Sequence, residues 1–327
     1  MDKDGLKTRT QLGHPRQRSP RIRRHVCMAV LMVGASSWLS GCSFYRDAMS
    51  GQRLDQGMTI VLPGIEGESF ANGNIARGLE SGEVPTAIRI YDWTTGFAPL
   101  AILHLRDSAR HRAQAKKLAE EIVHYQLLYP GRPVYLVGHS GGGAMSLLTL
   151  EALPRNHRVT GVFLLAAAIS PEYDVESALS RTEYGIWNFY SPLDATFLIA
   201  GTSLAGTVDG RWEASAGAFG FKYDDQPTGA SGPRLTQVPY RPEMLLSQNP
   251  GGHLGPTFPG FVRKYVAPEI VGMTREKTDR RILQETSRAH LAVPSSIPYA
   301  PDGPEPQSTP YQRATYQQFE SPYRRRE

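Results

Sequence analysis

Val134-Tyr135-Leu136-Val137-Gly138-His139-Ser140-Gly141-Gly142-Gly143 is the stretch on which the reading of the fold turns. Four residues of strong β preference run into Gly-His-Ser-Gly-Gly, and Ala144-Met145-Ser146-Leu147-Leu148-Thr149-Leu150 continues in residues that favour a helix. The spacing therefore predicts a strand, a sharp turn and a helix. Gly138 and Gly142 flank Ser140 in the G-x-S-x-G pattern, which a strained turn requires because flanking side chains would collide there. Such a turn lifts the Ser140 hydroxyl above the sheet edge. The Gly141 N–H and the positive end of the new helix then point to where an oxyanion would form.

Working outward, the segments on either side alternate between strand and helix patterns. Met58-Thr59-Ile60-Val61-Leu62 reads as a strand that breaks at Pro63-Gly64-Ile65-Glu66-Gly67. Ile75–Leu79 reads as part of a helix with Asn72 or Asn74 as its cap, and Ala87–Tyr91 as the next strand. From Arg106 to Leu128 the apolar residues Leu118, Ile122 and Val123 recur among charges at helical spacing, with Tyr129-Pro130-Gly131 as a stop. Val159–Leu165 is a buried strand, Val175–Leu179 a short helix, and Ile186–Tyr190 a strand ending in Ser191-Pro192-Leu193-Asp194. The fold class is α/β, with a mostly parallel central sheet and helices on both faces. Only about twenty residues separate the strands at 159–165 and 186–190, which leaves no room there for a large cap domain.

A serine hydroxyl is a poor nucleophile until a histidine takes its proton and a carboxylate fixes that histidine's tautomer. Asp194 follows a strand end directly; Asp174 is its rival, and Asp209, Asp224 and Asp225 lie in weaker contexts. Of the nine histidines, only His157, His253 and His290 follow Ser140. His157 precedes Asp194 and His290 lies near the polar tail. His253 sits in Asn249-Pro250-Gly251-Gly252-His253-Leu254-Gly255-Pro256, a loop before a helix expected over 258–265. His139 belongs to the turn and is expected to point away from the reacting atoms.

The order Ser140, Asp194, His253, together with the Pro63-Gly64-Ile65 loop, resembles an α/β-hydrolase of the lipase and esterase type over residues 56–268. The resemblance implies an α/β-hydrolase fold and an ester-cleaving Ser-His-Asp triad. It also implies an oxyanion hole made by the N–H groups of Ile65 and Gly141. It implies no metal and no organic cofactor. Pro63 stands where many esterases carry histidine, and with no obvious cap the substrate class stays open between carboxylic ester, thioester and amide. A descendant of the fold serving only as an envelope binding module is the alternative from a different class. Phe97–Leu105 is apolar enough to line an acyl pocket, and equally to be buried packing.

The chain of 327 residues carries a net charge of +5. Lys3, Lys7, Arg9, Arg16, Arg18, Arg21, Arg23 and Arg24, against Asp2 and Asp4, place the whole of that excess in residues 1–41. The remainder is near neutral, which removes the main support for nucleic-acid binding. Arg21–Arg24 precede the apolar run Val26–Ala35, which is short for a membrane span and reads as an export signal. Leu39-Ser40-Gly41-Cys42 resembles the bacterial lipobox, implying cleavage before Cys42 and lipidation of its thiol. Cys27 and Cys42 are the only cysteines, so the mature chain has no internal disulfide. The expected organisation is a signal peptide over 1–41, a tether over 42–55, a catalytic domain over 56–270 and an extension over 271–327. That extension, with a last helical turn at Arg280–Leu283, reads as disordered after 293. The expected location is the bacterial envelope, with the membrane as partner through the lipid anchor. Ser43, where some Gram-negative proteins carry an aspartate for inner-membrane retention, favours the outer membrane.

Overall fold

Six short runs of β-branched and aromatic residues become six strands: β1 (Met58–Leu62), β2 (Ala87–Ile90), β3 (Val134–His139), β4 (Val159–Leu165), β5 (Thr182–Tyr190) and β6 (Arg234–Pro239). The computed structural model describes residues 48–95, 107–194, 215–223 and 232–292. All strand pairs are parallel, in the order β2-β1-β3-β4-β5-β6. The chain starts inside the sheet at β1, steps outward to β2, then crosses back to β3 and proceeds one way to β6. That reversal makes the carboxyl ends of β1 and β3 a topological switch point, where open α/β sheets place their sites. This strand order, with a serine turn after β3, is the α/β-hydrolase fold.

Register decides which side chains share a face. Ile90, Val61, Val137, Phe163 and Trp187 lie opposite one another across five strands. Their face is covered by Ile75 and Leu79 of α2 (Phe70–Ser81) and by Val262, Val266 and Ile270 near the C-terminal helix. The other face carries Ile60, Leu136 and Leu164. Leu118, Ile122 and Tyr125 of α3 (Ser108–Leu128) and Leu147 and Leu150 of α4 (Gly141–Ala152) pack against it. The strands are thus buried on both sides, which explains their near-continuous apolar sequences. Each enclosed Leu, Ile or Val side chain contributes about 1.5–3 kcal/mol. Between β4 and β5 the chain holds only the five-residue α5 (Val175–Leu179) and no cap.

Two expected boundaries are corrected. Part of the tether is α1 (Gly51–Gln56), which buries Leu54; the Tyr125 hydroxyl donates to the Leu54 carbonyl at 2.6 Å, and burial pushes that phenol up. The extension after 271 is not a single late turn: a turn at Pro259–Phe261, a π-helical turn at Val262–Val266 and α6 (Ala267–Ala292) follow one another without a break. Met273 is buried and the Thr274 hydroxyl lies 2.9 Å from that of Tyr135, so the sheet anchors the start of α6. From Arg275 to Arg288 it is mostly exposed, Ile282 and Leu283 included, and carries pairs such as Arg281–Glu285. Smaller shifts are that α2 starts after Ser69, whose N–H donates to Asn72 Oδ1, and that α3 starts after Asp107. β5 begins four residues earlier than expected, at Thr182. The leader, Cys42, the apolar run 97–105 and the tail beyond 292 lie outside the described residues. Among the described residues, no helix is long and apolar enough to cross a membrane.

Candidate active site

Ser140 adopts φ 54° and ψ −120°, outside the regions that L-residues favour, at a cost of about 1–3 kcal/mol. Close packing on both sides holds it there. A Cβ on Gly142 would meet the backbone carbonyls of Leu62 and Pro63, and one on Gly138 would stand 2.6 Å from Ser146 Oγ. The glycines let α4 rise from β3 directly against the end of β1. The Ser140 carbonyl accepts the N–H groups of Gly143 and Ala168, both at 3.0 Å, and its own N–H donates to Leu165 at 3.0 Å. The side chain is buried to 8% exposure at the carboxyl edge of the sheet.

The loop after β1 faces this turn. The Ile65 backbone nitrogen lies 3.5 Å from where a Cβ on Gly141 would stand, so the two peptide groups border one space. Trp93 fixes the loop: its Nε1–H donates to the Pro63 carbonyl at 2.8 Å, and its ring is fully enclosed. Asn72 adds a second tie, donating through Nδ2 to the Gly67 carbonyl at 3.0 Å.

Asp194 and His253 come together from the far side. Asp194 closes the 3-10 turn Pro192–Asp194 after β5, and its N–H donates to the Ser191 carbonyl at 2.9 Å. It is 0% exposed, and its Oδ1 lies 2.9 Å from His253 Nδ1. A carboxylate accepts only, so Nδ1 carries the hydrogen and Nε2 the lone pair. The His253 loop is pinned by Asn249, whose Oδ1 accepts the Gly251 N–H at 2.8 Å, and by His139. His139 Nε2 lies 3.1 Å from the His253 carbonyl, and the two rings are 4.8 Å apart. Ser140 follows His139 directly in the chain, so this contact sets the serine turn against the histidine loop. The rival Asp174 instead caps α5, accepting the Glu176 N–H at 3.0 Å.

Three residues of this site, Glu66, Trp93 and Asn249, were not singled out from the sequence, and His139 was misread. His139 does not point away from the reacting atoms; it is the contact to the histidine loop. Burial, followed by the nearby His253, pushes its pKa down to about 3, so it is neutral. Glu66 lies beside Ile65, with its Oε1 4.0 Å from His139 Nδ1 and 3.3 Å from the Ser69 hydroxyl. Its side chain is 38% exposed, yet its carboxylate folds over Gly64 into the site, and that enclosure raises its pKa. Trp93 and Asn249 carried no signal beyond residue type. Among the described residues, no group of three or more His, Cys, Asp or Glu side chains is placed to hold a metal.

No family model and no curated protein sequence matches the chain. Solved structures do resemble it. Est1E from Butyrivibrio proteoclasticus is 12% identical over 66% of this chain and 88% of its own, with a TM-score of 0.37. A dienelactone hydrolase-like promiscuous phosphotriesterase, P91, from metagenomic libraries is 13% identical over 71% and 88%, with a TM-score of 0.36. A cutinase-like protein from Cryptococcus sp. is 16% identical over 67% and 95%, also at 0.36. The fold assignment rests on strand order and the serine turn rather than on these likenesses.

Proposed function

We propose that the chain is a serine hydrolase that cleaves carboxylic esters. The observation that carries this reading is the enclosed Asp194–His253 pair, 2.9 Å apart, packed through His139 against a serine in a strained strand-to-helix turn. Ser140 Oγ attacks the ester carbonyl while His253 Nε2 takes its proton and returns it to the leaving alcohol. Asp194 holds the ring in the Nδ1–H tautomer and stabilises the imidazolium that forms. The N–H groups of Ile65 and Gly141 donate to the oxyanion, supported by the positive end of α4. Water, activated by His253, then releases the acid from Ser140. Leu193 and Leu254, each adjacent to a member of the pair, are exposed and give the rim an apolar character that suits an acyl chain.

The same chemistry on thioesters or amides is the second reading. The leader and Cys42 support an export signal and a lipid anchor, so the substrate is met at the bacterial envelope, on the periplasmic or outer-membrane side. The membrane is then the partner on the protein's side, and a small-molecule or lipid ester its substrate. Hydrolysis of p-nitrophenyl esters from acetate to palmitate by the full chain in detergent, beside Ser140→Ala, tests the reading. Turnover that the variant abolishes supports it, and the chain-length profile separates esterase from lipase. Inactivity on every ester, with no fluorophosphonate labelling, favours a non-catalytic binding module.

A further inference from the structure

His139 and Glu66 form a row with the proposed catalytic histidine, running from the loop after β1, across the end of β3, to the histidine loop. The chemistry of this row is constrained atom by atom. The His253 carbonyl accepts only, so at 3.1 Å His139 Nε2 must carry the hydrogen. A neutral His139 then has a bare lone pair at Nδ1, which is buried and has no hydrogen-bond partner in the structure. The group that faces this lone pair is Glu66 Oε1, 4.0 Å away. An ionised carboxylate would set negative charge against a lone pair. A carboxylic acid would offer the hydrogen that the lone pair lacks.

We propose that Glu66 and His139 are a neutral positioning relay: Glu66, as a carboxylic acid, donates to His139 Nδ1, and His139 donates through Nε2 to the His253 carbonyl, fixing the loop that carries the catalytic base. The inference rests on the ester-hydrolase reading. The 4.0 Å separation exceeds hydrogen-bond length by about an ångström, so the relay requires Glu66 to rotate towards Nδ1, away from the Ser69 hydroxyl that donates to its Oε1 at 3.3 Å. Burial favours the acid form of Glu66. Among the described residues the ionisable neighbours are these. His139 and His253 face Glu66 from β3 and the histidine loop, Glu68 lies on its own loop, and Asp92, beyond β2, is engaged by the Thr94 N–H at 2.8 Å. The relay runs outside the Ser-His-Asp line. It holds the base's backbone in place, whereas Asp194 holds its ring.

The relay makes the protonation state of Glu66 matter. As Glu66 ionises with rising pH, the donor to Nδ1 is lost and the histidine loop loosens. The parent should therefore show a decline in kcat at a pH above the usual glutamate range. The test uses full-length parent, Glu66→Gln, Glu66→Leu, His139→Gln and His139→Phe, with p-nitrophenyl butyrate between pH 5 and 9. Glutamine at 66 keeps a donor at every pH, so the decline should vanish. Glutamine at 139 keeps the donor to His253, which phenylalanine lacks. Each apolar variant should lower kcat about tenfold or more below its glutamine counterpart with KM little changed, as expected for a misplaced base. In parallel, ¹⁵N imidazole spectra should show His139 neutral and protonated at Nε2 throughout, with Nδ1 shifting as Glu66 titrates. A cationic or Nδ1–H His139, or matching pH profiles for Glu66→Gln and Glu66→Leu, would overturn the relay. If the parent and Ser140→Ala are equally inactive, the ester-hydrolase reading fails, and the spectra still decide the relay.

Discussion

The serine turn and the histidine loop reach the same space by opposite routes. Residues 134–152 carry their own instructions: a β-preferring run, glycines where a Cβ would collide, and a helix whose N-terminus faces the site. The loop around His253 has no such local rule. It is held by Asp194, 59 positions away, and by His139, 114 positions away, and its geometry exists only once β3, β5 and the loop are packed together. Local strain builds one half of the site and long-range contacts the other. Substitutions should therefore damage the two halves differently.

The largest effect separates chemistry from scaffold. Ser140→Ala and His253→Ala should each lower kcat about 10⁴-fold or more, while thermal melting shows that the fold persists. Next comes the acid. Asp194→Asn should lower kcat about 10⁴-fold, because the amide cannot hold the Nδ1–H tautomer. Asp174→Asn, which exchanges one good helix cap for another, should stay within about twofold. A result in which Asp174→Asn is the more damaging would reverse the assignment of the acid.

The serine turn should break through folding instead of chemistry. Gly142→Val forces a side chain into the Leu62 and Pro63 carbonyls, so soluble yield and melting temperature should fall before kinetics can be compared. A smaller effect is expected at Trp93→Phe, which keeps an aromatic side chain but removes the donor to Pro63 and part of the buried indole. The lost bond and the space left behind cost about 2–3 kcal/mol of stability, with kcat reduced several-fold by a looser loop after β1.

The last effect is silent at neutral pH and appears only on acidification. His139 is neutral in the fold with a pKa of about 3, while the unfolded chain has the ordinary value of 6.5. Between those values the unfolded state binds the extra proton, so stability falls as pH drops from 6.5 towards 3 and is unaffected above it. His139→Phe should flatten that part of a melting-temperature profile. Glu66 acts with the opposite sign. Its raised pKa means the folded state holds the proton longer, so this group's contribution is lost as pH rises above 4.5.

What was legible follows the same division. The strands β1 to β5 and the helix after Ser140 were readable because periodicity and glycine placement are local signals, whereas β6 was not, since Leu235 is its one buried residue and leaves no pattern to read. Asp194 was singled out by its order and its position after a strand end, and His253 by its order and its loop before a helix; the structure sets them 2.9 Å apart. His139 was misread because a strand residue next to the serine gives no hint of a loop 114 positions away. Glu66 was passed over because its carboxylate becomes informative only when folded over Gly64. The helical start of the tether was hidden because Leu54 is buried by a partner, Tyr125, far along the chain. The long C-terminal helix was hidden because its polar stretch carries helical ion pairs and little apolar pattern.

The most direct test of the central claim is fluorophosphonate labelling of the full chain, with the modified peptide located by mass spectrometry. A single adduct on Ser140, absent from Ser140→Ala and slowed strongly in Asp194→Asn, is the predicted result. Labelling elsewhere, or labelling of Ser140→Ala at the parent's rate, would contradict the account.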